Sequence, residues 1–514
     1  MKAFLKKANA WLGAPMSLKV FYVLVGTGLF LYLAQLLTTS VYDADMYFLI
    51  ASGREILKNG IPHNNVWTID SSSGIVIQQW LYAVLVSIAA KFDYWGFLAL
   101  LSAQMTAFFV LLWKFFDVRK IHGGLRLFII SIIAVFGQIY LFTLRPELIT
   151  IVLLLAECLV LEKYRLDGKC IRLLWLPVLM LMEINLHASM WPVHFLVMLA
   201  YAVPAFYLPW AVKDDLHKHW GALLISAILS GAVMFVNPYG LDGIMYTIRS
   251  FQARTFDYIK VREMMEPTFL SGPGCNIILA VALVGICLKF KKLTSVTTNF
   301  ACGFGLLACY AIRNNMFMII AFIFLFRDLC DVLVLLSDKI DWKKNVQNYC
   351  WFLFGGFAAL MVYVFTAQMM AISGTTIDEM SPAWENIYDE IQKDYNPDMH
   401  VFTGFNCGAF FEYKGMKNLY MDARPELYTD TFTGDKHLLR NYATYCAYGF
   451  DNTGVGTLTR SAMDEWFNGY DFDYVIVSIK TEMALNVYMM SRDDYKLIED
   501  VSEDGIYCLY KKVG

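Results

Sequence analysis

Gln78-Gln79-Trp80-Leu81-Tyr82-Ala83-Val84-Leu85-Val86-Ser87-Ile88-Ala89-Ala90-Lys91 is the stretch on which the topology of this chain turns. It is apolar, yet shorter than the roughly 18 residues a helix needs to cross a hydrocarbon core of about 30 Å. Eleven other apolar runs lie around it, at 18–40, 95–116, 127–144, 147–161, 172–186, 190–210, 220–236, 275–290, 295–312, 314–336 and 349–371. If 78–91 crossed as well, every basic loop after it would face outward while the basic N-terminus stayed inside. If it does not cross, Lys2, Lys6, Lys7, Arg119, Lys120, Arg126, Lys163, Arg165, Lys169, Lys289, Lys291, Lys292, Lys339, Lys343 and Lys344 share the cytoplasmic side, as the positive-inside bias requires. The expected topology is eleven spans, with the N-terminus in, 78–91 along the outer surface and the C-terminal tail out.

Composition points the same way. Of 514 residues, 58% are hydrophobic and 17% charged, with a mean hydropathy of +0.48, which excludes disorder and an ordinary soluble enzyme. The net charge of −3 conceals a division. Residues 1–371 hold 30 Lys and Arg against 21 Asp and Glu, whereas residues 372–514 hold 12 against 24. Met1 to Lys19 is basic and leads into an apolar stretch longer than a signal peptide's, so it reads as an uncleaved first span. The expected class is an α-helical polytopic plasma-membrane protein with a C-terminal soluble α/β domain. Its units are a transmembrane domain over 1–371, with outer loops 41–94 and 237–273, and an extracytoplasmic domain over 372–514. In that tail 400–405, 418–423, 474–479 and 505–510 read as strands, and 383–395, 433–446, 461–469 and 481–491 as helices.

The cysteines carry no metal-binding spacing, and Cys407, Cys446 and Cys508 leave room for at most one disulfide in the tail. The tail has no Gly-rich phosphate loop, so no nucleotide is expected there, and no nucleic-acid partner is expected.

The first outer loop opens with Asp43-Ala44-Asp45. Residues 44–58 have helical apolar spacing, Gly60 and Pro62 stop the helix, and Val66–Ile69 with Ile75–Ile77 suggest a hairpin. Two carboxylates where the chain leaves the bilayer suit acid/base duty. They equally suit a helix start, Asp43 capping and Asp45 complementing the dipole. Further along, Arg145, Asn185, His187, Asn237 and Arg313 all fall at outer ends of spans, and an ionisable group at bilayer depth is costly unless it faces a cavity or a partner. The guanidinium forks of Arg145 and Arg313 suit a phosphate. The plainer alternatives are an Arg145–Glu147 ion pair, a hydrogen-bonded core His187, a helix stop at Asn237-Pro238-Tyr239-Gly240, and an Arg262–Glu263 pair. Glu157 and Glu183 lie deeper and need partners that the sequence does not identify. In the tail, Asp422 and Arg424 close an expected strand, either as ligand contacts or as a structural pair.

These elements, in this order, resemble the GT-C superfamily of membrane glycosyltransferases. More closely they resemble a bacterial group with a GT-C-like core and an extracytoplasmic C-terminal domain. The residues that carry the resemblance are Asp43-Ala44-Asp45 with Gly53-Arg54, Arg145-Pro146-Glu147, Asn185-Leu186-His187, Asn237-Pro238-Tyr239-Gly240, Glu263 with Pro267, Arg313-Asn314 and Asp422-Ala423-Arg424-Pro425. The chain departs from the group at Met46–Leu49, where a Trp-rich stretch ending in His is usual, and at Glu147, where Gln is common.

The resemblance implies transfer of a sugar from a polyprenyl-phosphate donor to an extracytoplasmic acceptor, an envelope glycan, lipid or protein. Asp43, Asp45 and Glu263 would then be the catalytic carboxylates. Arg145, Glu147, Asn185, His187, Asn237, Tyr239, Arg313 and Asn314 would hold the donor, and Asp422 and Arg424 would meet the acceptor or cover the cavity. The mechanism demands no metal, although a D-x-D pair could recruit Mg²⁺ or Mn²⁺. The rival readings are a transporter of lipid-linked sugars, for which no inverted repeat is evident, and a non-catalytic binding protein.

Overall fold

The computed structural model describes residues 45–70, 74–121, 126, 129–130, 132–134, 141, 143–203, 220–253, 255, 259, 265–268, 271–339, 381–434, 437–447, 460–499, 502 and 505–513. The expected first and last spans (18–40 and 349–371), Asp43 and Glu263 lie outside these residues.

The described chain is mostly helical. Helix α1 (Asp45–Asn59) begins with Asp45 in its first turn, where a carboxylate favours the dipole. The chain turns out of it at Gly60, whose φ of +86° a side chain would resist. Helix α2 (Trp80–Ala90) has 11 residues and so spans about 16 Å, half the thickness of a hydrocarbon core. The two helices pack closely because Gly53 has no Cβ. One placed there would lie 2.1 Å from the Ala83 carbonyl oxygen.

Helices α3 (Asp93–Val118), α4 (Pro146–Asp167), α5 (Trp175–Leu186), α6 (Trp191–Ala202), α7 (Trp220–Val233), α8 (Leu241–Gln252), α9 (Gly272–Lys289), α10 (Ser295–Tyr310) and α11 (Met318–Lys339) follow. Among the described residues α3 and α9 are long and apolar enough to cross a membrane. Helices α4 and α11 match them in length but carry charges, one pair of which joins the two helices. Buried Arg327 of α11 pairs with Glu162 of α4 and with Asp328, and its Nη2 also donates to Thr294 and Thr297.

The C-terminal segment carries helices α12 (Pro382–Gln392), α13 (Gly408–Tyr413), α14 (Asp430–Thr433), α15 (Leu438–Tyr445), α16 (Arg460–Asn468) and α17 (Met483–Met489) around a sheet. Its strands are β1 (Val401–Phe402), β2 (Tyr474–Ser478), β3 (Tyr495–Ile498) and β4 (Tyr507–Lys512), in the order β1-β2-β4-β3. Strands β1 and β2 are parallel and the other two pairs antiparallel. Two expectations fare differently. The stretch expected as a strand over 418–423 makes only isolated bridges through Leu419, to Val401 and to Thr68, and β3 is a strand the sequence reading did not single out.

The bridge to Thr68 changes how the loop between α1 and α2 is held. Leu419 N–H donates to the Trp67 carbonyl at 3.0 Å, and Ile69 N–H donates to the Leu419 carbonyl at 2.9 Å. The backbone of 67–69 therefore satisfies its hydrogen bonds on the tail. The expected hairpin is reduced to a pairing of Asn64 with Gly74, because the stronger ladder partner comes from the far end of the chain.

Candidate active site

Pro146 at the first position of α4 starts that helix and leaves Arg145 extended at its mouth, so Arg145 and Glu147 project beside the N-terminus of α1. Arg145 Nη2 lies 3.4 Å from Asp45 Oδ2. Glu147 pairs with Arg313, which the short helical turn Ile312–Phe317 carries between α10 and α11. His187 follows the last turn of α5, and both Glu147 and Arg313 act on it electrostatically. Asp45, Arg145, Glu147, His187 and Arg313 therefore meet at one rim, supplied by four separate stretches of chain. Arg145 reaches Asp45 while also acting electrostatically on its neighbour Glu147, and Glu147 takes a second cation 166 residues away.

The amides of Asn185, Asn237 and Asn314 serve mainly the backbone. Asn185 accepts from Trp80 Nε1 at 3.0 Å and donates to the Leu181 and Val236 carbonyls, tying α2 and α5 to the end of α7. Asn237 donates to the Met234 and Gly240 carbonyls and accepts from Tyr239 N–H, which fixes the turn into α8. Tyr239 donates its hydroxyl to the Pro62 carbonyl at 3.2 Å, and Asn314 donates to the Leu307 carbonyl at 2.9 Å. These four residues shape the walls around the charged rim.

Beneath the rim lies a polar line that the sequence reading saw only in part. Thr150 Oγ1 sits 2.7 Å from Glu183 Oε1 and 2.8 Å from His187 Nδ1. His194 is the partner the sequence left unidentified. Its Nδ1 is 2.5 Å from Glu157 Oε2 and its Nε2 is 3.4 Å from Glu183 Oε2. The available signal was the spacing of Glu147, Thr150 and Glu157, which puts all three on one face of a helix.

On the tail side, Arg424 is buried between two carboxylates. It donates to Asp422 Oδ2 at 2.5 Å and to Glu412 Oε1 at 2.9 Å, and its guanidinium lies 5.5 Å from the Phe48 ring centroid and 5.2 Å from that of Trp67. Burial pushes the Glu412 carboxyl well above the usual range, while Arg424 and the Tyr428 hydroxyl hold Asp422 down at about 2 despite its burial. Arg54 of α1 adds a hydrogen bond to the Tyr413 carbonyl, and Tyr246 of α8 bonds Glu426. Asp422 and Arg424 thus join the tail to α1 and the outer loop. Glu412 completes the cluster and carried no sequence signal.

The described residues include no group of three or more His, Cys, Asp or Glu arranged to hold a metal ion. Of the D-x-D pair, Asp45 is engaged by Arg145 and Asp43 is outside the described residues.

The sequence matches no protein-family model and no curated protein. Among solved structures, a crystal structure of the oligosaccharyltransferase of Archaeoglobus fulgidus, tethered through a disulfide bond to an acceptor peptide containing the NVT sequon, is similar to this chain with a TM-score of 0.55 at 10% sequence identity. The similarity covers 98% of this chain and 75% of that one. The likeness is one of fold.

Proposed function

We propose that this chain is a membrane glycosyltransferase that moves a sugar from a polyprenyl-phosphate donor to an acceptor on the extracytoplasmic side. The observation that carries the reading is the rim itself. Two arginines and three groups able to exchange a proton converge at the mouth of a helical bundle whose fold is that of an oligosaccharyltransferase. In this reading the chain crosses the membrane eleven times with its N-terminus inside, and residues 1–371 and 372–514 form its two units. The outer loops and the tail enclose the site, and membrane lipid surrounds the bundle.

Arg145 and Arg313 bring two guanidinium groups to the rim, whose planar forks of N–H donors match the phosphate of the donor. Asp43 or Asp45, with Glu263 as the second candidate carboxylate, takes the proton of the acceptor hydroxyl. Attack on C1 from the face opposite the phosphate inverts the anomeric centre, and the charge on the departing phosphate develops against the arginines. Glu147 orients Arg313, His187 borders the phosphate, and Asn185, Asn237, Tyr239 and Asn314 hold the walls. Asp422 and Arg424 keep the tail over the site on the acceptor side. The archaeal enzyme's tethered acceptor is a peptide, which makes a polypeptide one of the acceptors to offer.

The test is transfer by the purified protein in lipid, with a panel of labelled polyprenyl-phosphate monosaccharides and envelope extract as acceptor. Wild type yields labelled product. Asp45→Asn and Arg313→Ala, folded as judged by an unchanged unfolding midpoint, lose at least about a hundredfold in turnover. Donor that binds without being consumed by wild type would instead support a carrier or binding protein.

A further inference from the structure

In the polar line under the rim two buried carboxyls, Glu157 and Glu183, share one histidine, His194. Thr150, Glu157, Glu183, His187 and His194 are each at most 1% exposed. Glu157 and Glu183 both face His194, and among the described residues the nearby cations are committed elsewhere. Arg313 pairs with Glu147, Arg145 with Asp45, Arg327 with Glu162 and Asp328, and Arg119 and Arg165 with Glu162, while Tyr201 bonds Glu162 and Cys158 lies between Glu157 and Glu162. With both carboxyls ionised and the imidazole neutral, the cluster would carry two buried negative charges, which low-dielectric surroundings oppose strongly. Two protons restore neutrality. The separations of 2.5 Å from His194 to Glu157 and 3.4 Å to Glu183 leave no room for a cation between the groups, so protons are the species that balances the cluster.

We propose that Glu157, His194 and Glu183 store a proton that Thr150 and His187 pass to the phosphate leaving at the rim. The proposal rests on the glycosyl-transfer reading for its destination, though not for the store. A donor phosphodiester carries one negative charge, and the monoester that departs carries up to two. When the bond from C1 to the phosphate oxygen breaks, its electron pair stays on that oxygen, and the rim arginines are already balanced by carboxylates. His187 gives its Nε2 proton to the phosphate oxygen and takes at Nδ1 the Thr150 hydroxyl proton, which turns from Glu183 Oε1, to which it donates at rest, and Thr150 accepts in exchange a proton carried by Glu183. His194 then returns a proton to Glu183 across the 3.4 Å gap. The net change is one proton moved from the store to the phosphate. The acceptor's proton, released to the rim carboxylate, replenishes the store once product has gone. Thr150, His194, Glu157 and Glu183 touch no substrate and are positioning residues.

Infrared difference spectra of the full-length protein in lipid test the relay without any substrate. Wild type at pH 7 is expected to show a protonated carboxyl C=O stretch that Glu157→Gln or Glu183→Gln removes. Assignment is by difference between wild type and variant, because Glu412 and Glu482 contribute bands of their own. In D₂O this proton exchanges, and Thr150→Val slows the exchange by about tenfold or more while Thr150→Ser restores it. Absence of that carboxyl proton from wild type, or exchange in Thr150→Val at the wild-type rate, overturns the proposal. Turnover is a separate reading. Thr150→Val is expected to lower kcat about tenfold with KM unchanged, with rescue by Thr150→Ser, and a normal kcat in Thr150→Val overturns the role in transfer. If wild type never turns over, the transfer reading alone falls, since the exchange experiment still decides the store.

Discussion

Arg424 is a single cation between two buried carboxylates, and the arrangement stands because only one of them is ionised. Asp422 keeps its charge against Arg424, and Glu412 keeps its proton. Glu412→Gln should therefore be nearly silent, whereas Arg424→Met strands an unpaired carboxylate and should cost about 3–5 kcal/mol, read as a fall in the unfolding midpoint of the chain in lipid. Glu482 gives the tail a pH dependence of definite sign. It accepts from Tyr442 Oη and Ser478 N–H, both at 2.6 Å, and burial raises its carboxyl to about 7. A carboxyl whose folded value is raised contributes stability that is complete below its unfolded value near 4.5 and is lost as pH rises to about 7, here about 3 kcal/mol. Glu482→Gln should flatten that part of the stability curve between pH 4.5 and 7, and an unchanged slope would remove Glu482 as its source. None of this was legible beforehand. Asp422 and Arg424 stood out in the sequence, but Glu412 and Glu482 look like any other acidic residue until the fold buries them.

At the level of elements, the helix over 44–58 and its stop were readable from spacing and from Gly60, and α1 occupies Asp45–Asn59. Its mate was not readable. Gly53 appeared only within a motif, and its role emerges from the 2.1 Å that would separate a Cβ from the Ala83 carbonyl oxygen. Gly53→Ala should push α1 off α2 and destabilise the chain by about 1–3 kcal/mol, measured by thermal unfolding in lipid. Because α1 carries Asp45, the same substitution should lower transfer more than it lowers stability. The short hairpin was misjudged for a related reason. Alternation in 66–77 signals extended backbone, but a strand's hydrogen-bond partner is a property of the assembled sheet, and here it is Leu419.

For the whole molecule, the eleven-span reading makes a prediction about sides. In a background with Cys170, Cys275, Cys302 and Cys309 replaced by Ser, cysteines at Asn64 and Asp398 should react with an impermeant maleimide on intact cells, and one at Lys291 should not. Labelling at Lys291 from outside would invert the topology and, with it, the side on which donor and acceptor meet. What the sequence determined by itself is what partitioning determines. Apolar runs, basic loops and helix stops are set by local composition, which acts on each segment independently of the others. The tertiary structure alone decided which charge meets which. Glu147 pairs with Arg313 across 166 residues, Arg145 reaches Asp45 a hundred residues away, and His194 joins Glu157 to Glu183. In a low-dielectric interior such pairings are fixed by how distant helices pack, and the residues themselves carry only the charge to be compensated.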